Sequence, residues 1–264
     1  MNIDLMDKLP KKPPRIKFYT TMLLVVGIII SSAMFSGFSI IDIIRNLKYA
    51  TRLLDSMFFP PAWDYATKVI NPLLQTIQMA IVGSFFGAIL AFPASLLAAG
   101  NFIKIKWLNN ITRIFLNLFR TIPALVLASL FVAIFGLGSF AGIVALTIFS
   151  FGLISKMTYE SIEAIDYGQV EAIISLGGNK LNVLRYGILP QILPQFISYT
   201  LYAFEVNVRA AAVLGYVGAG GIGQYYEIFL NLRLFNYVGI IVIVSFGAVL
   251  IIDLISSSIR RRLV

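Results

Sequence analysis

Residues 121–155 read TIPALVLASLFVAIFGLGSFAGIVALTIFSFGLIS, 35 positions without a charge between Arg120 and Lys156. A helix needs about 20 apolar residues to cross a bilayer, so the run is long for one crossing and short for two. Gly136-Leu137-Gly138-Ser139-Phe140 lies at its middle, and Gly-Ser clusters mark turns. The choice is between one tilted helix with loose ends and a tight helical hairpin. Lys and Arg collect in short cytoplasmic loops. The N-terminal arm carries Lys8, Lys11, Lys12, Arg15 and Lys17, and the C-terminus carries Arg260, Arg261 and Arg262. Both ends are therefore expected in the cytoplasm. That requires an even number of crossings and selects the hairpin.

Charge-free runs elsewhere supply the other crossings: 18–41, 69–103, 186–204, 210–226 and 234–252. The expected order is a basic cytoplasmic arm (1–17), a first helix (18–38), an extracytoplasmic loop (39–71) and a core (72–256). The core holds five further helices near 73–99, 121–136, 140–156, 196–216 and 237–256, with a cytoplasmic segment at 157–190, and a basic tail (257–264) follows. A kink is expected near Pro93, and an interfacial helix within 39–71. This arrangement places 15 basic residues inside and 5 outside, with Arg209 in the membrane. The first apolar run also exceeds the roughly 7–15 residues of a cleaved leader's apolar region, so a retained helix is expected.

Composition agrees. Apolar residues make up 59% of the 264 and charged residues 12%, against roughly 45–50% and 25% in soluble domains. With no His and no Cys, thiol nucleophiles, Ser-His-Asp triads, disulfides and the usual zinc sites are excluded. A net charge of +9 would suggest nucleic acid in a soluble protein. In a membrane chain its distribution matters more, and no nucleic-acid partner is expected.

The largest polar segment, KMTYESIEAIDYGQVEAIISLGGNKLNVLRYGILP (156–190), has apolar residues near helical spacing. Gly177-Gly178 breaks the periodicity, and Pro190 is expected to stop the second piece. Two short helices at the membrane surface fit this pattern. They form either an amphipathic connection or a docking surface. Glu171, Ala172, Gly177, Leu189 and Pro190 resemble the EAA loop of type I ABC importer permeases. That pattern is Glu-Ala-Ala, three residues, Gly, nine residues, Ile, one residue and Leu-Pro. The chain departs from it at Ile173 and Gly187, with Ile188 one place late. The resemblance implies a coupling helix that docks on an ATP-binding subunit. The strings RYGILPQ (185–191), FEVNVRA (204–210) and VGAGGIGQ (217–224), with Arg120-Thr121-Ile122-Pro123 and Phe140-Ala141-Gly142 upstream, are similar to the phosphonate ABC transporter permease family.

Glu205 and Arg209 stand at i, i+4 in an apolar helix, so they share a face. Charge at bilayer depth must face protein or water. Either the two form a mutual salt bridge, or Arg209 attracts an oxyanion and Glu205 orients it. Asn207 lies about 160–200° off that face and is a weaker member of the same translocation set. Gly218, Gly220, Gly221 and Gly223 follow the fifth helix. Lacking a following Lys-Ser/Thr, they are not a nucleotide P-loop. A gate or re-entrant turn at the outer mouth is expected, against simple close packing.

The expected fold is an all-α integral membrane bundle of six helices, type I ABC importer permease-like, with cytoplasmic termini. The resemblance implies a multi-pass subunit of a bacterial cell membrane that imports phosphonate or a related phosphorus oxyanion. It implies two ATP-binding subunits, a second permease copy in a homodimer, and an extracytoplasmic substrate-binding protein, all in membrane lipid. ATP and Mg would sit on the ATPase, with no cofactor on this chain. A permease for another small solute, amino acid- or methionine-like, and an ATP-independent carrier are the alternatives. An intramembrane enzyme is disfavoured by the lack of His and of paired membrane carboxylates.

Overall fold

The computed structural model describes residues 16–263. The basic arm residues Lys8, Lys11, Lys12 and Arg15 lie outside that range. The chain divides into two compact units, residues 1–54 and 55–264.

The first unit holds α1 (Ile16–Phe35) and most of α2 (Ile40–Phe58). α1 is apolar through its middle, from Met22 to Ile30, with Lys17, Thr20, Thr21, Ser31 and Ser32 towards its ends. α2 is amphipathic: Ile40, Ile43, Ile44, Leu47 and Leu54 fall on one side at helical spacing, and Arg45, Lys48 and Arg52 on another. The stretch expected as a loop at 39–71 is thus mostly helical, and the helix expected within it is α2.

The second unit contains α3 (Ala66–Ala98), α4 (Lys106–Thr121), α5 (Ala124–Phe135), α6 (Ser139–Glu163) and α7 (Tyr167–Ser175). A short α8 (Lys180–Asn182) and a π turn (Val183–Ile188) lead into α9 (Leu189–Leu214), and α10 (Ile222–Asn231) and α11 (Phe235–Leu263) follow. Strands are absent among the described residues. Four helical stretches, 16–35, 63–98, 139–163 and 235–263, are long and apolar enough to cross a membrane. α4 and α5 pass the same test together but meet at 86°.

Several expected boundaries shift. The stretch between the helices expected at 73–99 and 121–136 is largely α4, because Lys106, Arg113 and Arg120 fall on one side of an amphipathic helix whose other side is apolar. The span expected at 121–136 is therefore α5, 12 residues long, starting after the Ile122-Pro123 break. Residue 122 is extended, as the residue before a proline prefers. The hairpin turn itself is where Gly136 (φ +87°) and Gly138 (φ +140°) place it. α3 runs unbroken through Pro72 and Pro93. α11 extends to residue 263, so the described tail is helical and carries Arg260, Arg261 and Arg262 in its last turn.

The second unit is centred on α3, α6 and α9, packed through small residues. A Cβ on Gly83 would stand 2.7 Å from the Leu146 Cβ, and one on Gly87 2.5 Å from the Ser150 Cβ. With Ala80, Ser84, Ala88 and Ala91 these form a small-residue stripe on α3. Helices in lipid gain most from such close backbone approach, since lipid competes equally for larger apolar side chains. Gly152 of α6 approaches the backbone of Phe119 and Arg120 in the same way, seating the end of α4.

Candidate functional site

The polar residues of α9 have three separate fates. Glu205 is 5% exposed. Its carboxylate does not pair with Arg209, as i, i+4 spacing allows. Arg260 of α11 approaches Glu205 Oε1 at 2.8 Å instead. Oε1 has no aligned hydrogen bond, so the contact is an ion pair. Arg209 is exposed, and among the described residues no carboxylate lies within ion-pair distance of it. Tyr202 and Val213, seven before and four after, are exposed as well. Asn207 is fully buried. Its Nδ2 donates to Ser84 Oγ of α3 (2.9 Å) and Ser150 Oγ of α6 (2.6 Å). Ser84 Oγ in turn donates to Ala80 O at 2.6 Å. The translocation set from the sequence is thus divided. Arg209 faces outward, Glu205 is claimed by α11, and Asn207 is a clasp inside the bundle.

The glycine-rich segment is a packed turn between α9 and α10. Gly218, Gly220 and Gly221 have φ of +82°, +79° and +74°, backbone that residues with a Cβ rarely adopt. Gly218 O accepts from Gly138 N at 2.9 Å, joining this turn to the α5–α6 hairpin. Gly221 N donates to Gln75 Oε1 (3.1 Å) and Ile222 N to Thr76 Oγ1 (2.8 Å), both on α3. The first amides of α10 are therefore capped by side chains, and they do not present an open anion cradle. Gly223 lies inside α10, against the backbone of Ala212 and Gly215.

In the 157–190 segment Asp166 caps α7, accepting from Gly168 N at 2.9 Å. Gly177 (φ +80°) turns the chain with open space around it. Asn179 caps the next helix by accepting from Asn182 N at 2.9 Å. That helix does not stop at Pro190. It continues through the π turn and Pro190 into α9. The wider π turn accommodates a proline that has no N–H to donate and whose ring crowds the preceding carbonyls. Gly187, in that turn, lets α7 sit close: a Cβ there would be 3.1 Å from Ile173 Cδ1 and 3.4 Å from Val170 Cγ2. Glu171, Ala172 and Gly177 are exposed, Leu189 half-buried and Pro190 exposed. Leu176 (89% exposed) and Leu181 (72%) crown the turn.

Two polar networks at this end do not follow from the sequence reading, in which Glu163 belongs to a solvated acidic face. Gln191 accepts from Asp166 N at 3.0 Å and donates to Asp166 O (3.3 Å) and Gly187 O (2.7 Å). Its side chain brackets the start of α7 to the start of α9. Its place directly after Leu189-Pro190 was the available signal. Arg113 of α4 pairs with Glu163 of α6. Glu163 Oε1 also accepts from Gly100 N at 2.9 Å, and Arg113 Nε donates to Ala98 O at 2.9 Å. This network ties the α3–α4 connection to the end of α6. No local spacing reveals a pair 50 residues apart.

Residues 83–264 match the family described as the binding-protein-dependent transport system inner membrane component. The phosphite transport system permease protein PtxC of Stutzerimonas stutzeri is 31% identical over 241 residues, covering 90% of this chain and 87% of that one. The phosphate-import permease protein PhnE of Mycolicibacterium smegmatis is 39% identical over 208 residues, 78% of this chain but 39% of that one. A chain of the MetNI methionine ABC transporter, in an inward-facing conformation, superposes with a TM-score of 0.66 at 24% identity. The match covers 74% of this chain and 96% of that one and speaks for the fold. A helical bundle with membrane-crossing stretches, matched over about two thirds of its length by this family, makes the chain a member of the binding-protein-dependent inner membrane components: a multi-pass permease subunit of an ABC importer, served by a binding protein and a partner ATPase.

Proposed function

We propose that this permease moves a phosphorus oxyanion, of the phosphite, phosphonate or phosphate class, past Arg209. The observation that carries the reading is an exposed guanidinium, without a carboxylate partner among the described residues, on a helix packed into the middle of the bundle. A charge at bilayer depth does not face lipid, so Arg209 faces water or a second permease copy. Guanidinium suits a tetrahedral oxyanion because its planar fork donates two hydrogen bonds at once. The names of the relatives, phosphite and phosphate permeases, agree with this class.

In this reading the chain crosses the membrane six times with cytoplasmic termini, α9 being one crossing and α4–α5 another. Two copies form a homodimer with two ATPases. α7 and its turn, carrying Glu171, Ala172 and Gly177, dock on the ATPase. Leu189 and Pro190 carry the motion into α9, giving alternating access as a rigid-body switch. The turn from Gly218 to Gly221 closes the outer mouth. α2 lies in the bilayer interface, its apolar side toward the acyl chains and Arg45, Lys48 and Arg52 toward lipid phosphates.

The deciding experiment is uptake of phosphite and of phosphate by the complete importer carrying Arg209→Ala. Uptake is expected to vanish while the complex still assembles. Wild-type uptake would sink the role of Arg209.

A further inference from the structure

The Glu205–Arg260 contact does more than seat α11. We infer that Arg260 is a positioning residue for anion transport: by holding the Glu205 carboxylate it keeps the Arg209 guanidinium free. The inference rests on Arg209 meeting the anion, as proposed above.

Glu205 and Arg209 are one turn apart, with Glu on the N-terminal side, the favourable order for an i, i+4 pair. Their attraction strengthens where water is scarce. A buried carboxylate needs a counterion, and two guanidinia compete for this one. Arg260 wins, at 2.8 Å. It is the half-buried member of the terminal trio, whereas Arg261 and Arg262 are exposed. Ser257 Oγ steadies it, accepting from its Nη2 at 3.2 Å. Asp253, two turns earlier on α11, is the other carboxylate close enough for Glu205 to feel, and it further favours a cation on this side. Without Arg260, the nearest counterion on α9 itself is Arg209. Glu205 would then neutralise the cation that the transported anion needs.

The test uses the complete importer in proteoliposomes with radiolabelled phosphate or phosphite. It compares uptake with binding-protein-stimulated ATP hydrolysis. Arg260→Gln should lower uptake about tenfold or more, the worth of one charge-assisted hydrogen bond. Assembly and stimulated hydrolysis should persist. Arg260→Lys should restore uptake. The double variant Glu205→Gln/Arg260→Gln should restore it too, because a neutral amide at position 205 does not claim Arg209. Wild-type uptake in Arg260→Gln, a double variant as poor as the single, or loss of the assembled complex in Arg260→Gln would each overturn the inference, the last by marking a purely structural pair. Arg209→Ala, run in parallel, separates the two failures. If it transports normally, the reading of Arg209 itself falls. If it is inactive while Arg260→Gln is normal, only the present inference falls.

Discussion

Asn207 Nδ2 lies 2.6 Å from Ser150 Oγ, and both residues are fully buried. The bond spans 57 positions of sequence and joins α9 to α6. Gly87 lets α3 pass so close to Ser150 that a Cβ there would stand 2.5 Å from the Ser150 Cβ, and Ser84, on the same helix, reaches the same amide. Three helices thus meet at one side chain, two residues before Arg209.

Asn207→Leu keeps the branching at Cγ, with somewhat bulkier ends, and removes both bonds, leaving the Ser150 hydroxyl short of a partner. Interhelical hydrogen bonds in lipid contribute about 0.6 kcal/mol on average and up to about 1.7. A loss of roughly 1–2 kcal/mol is therefore expected from the two bonds, read as an earlier unfolding midpoint in mixed detergent micelles. An unchanged midpoint would remove the clasp from the account of bundle stability.

At the other end of α9, Gly221→Ala should be among the costlier single-methyl changes. The position has φ +74°, and the new Cβ would lie 2.6 Å from Thr76 Oγ1, the acceptor for Ile222 N. Strain at positive φ costs about 1–3 kcal/mol, and displacing the cap adds about 1. Thr76→Ala should share the cap loss without the strain. Thermal unfolding of both variants would show the order.

Leu176 and Leu181 are exposed beside Gly177, so Leu176→Asp and Leu181→Asp should leave the folded chain as stable as before. Surface changes away from packed features stay within about 0.5 kcal/mol. If this turn docks on the ATPase, each should reduce the amount of ATPase recovered with the tagged permease. Equal recovery would place docking elsewhere.

Gln191→Ala opens the bracket between Asp166 and Gly187. Each lost bond is worth about 1 kcal/mol net, and α7 should then move independently of α9. The expected signature is faster hydrogen exchange at the Gly168 amide, together with fewer anions imported per ATP hydrolysed. If α7 carries a push from the ATPase, a normal ratio would mean that it reaches α9 by packing alone, through Gly187 against Val170 and Ile173.

Where the chain lies and where its helices turn could be read from local sequence. Runs of 35 and 19 uncharged residues settle the membrane location, because transfer free energy adds along the chain whatever packs against it. The breaks at Gly136–Gly138 and Gly177 were legible for a similarly local reason: their φ values suit glycine and few other residues. Local rules failed where two local signals competed. Pro190 signals a stop, yet the π turn before it carries the helix on. Charge keeps 100–120 out of the expected crossings, yet amphipathic spacing makes most of it α4. Partner choice needed the tertiary structure. Spacing offers Glu205 to Arg209, but packing α11 against α9 brings Arg260 to 2.8 Å, from a place in the chain far beyond the reach of helical spacing. The same packing turns Asn207 inward to Ser84 and Ser150 and leaves Arg209 outside. An i, i+4 pair is only one of the contacts open to a buried carboxylate, and burial selects whichever counterion the neighbouring helix delivers.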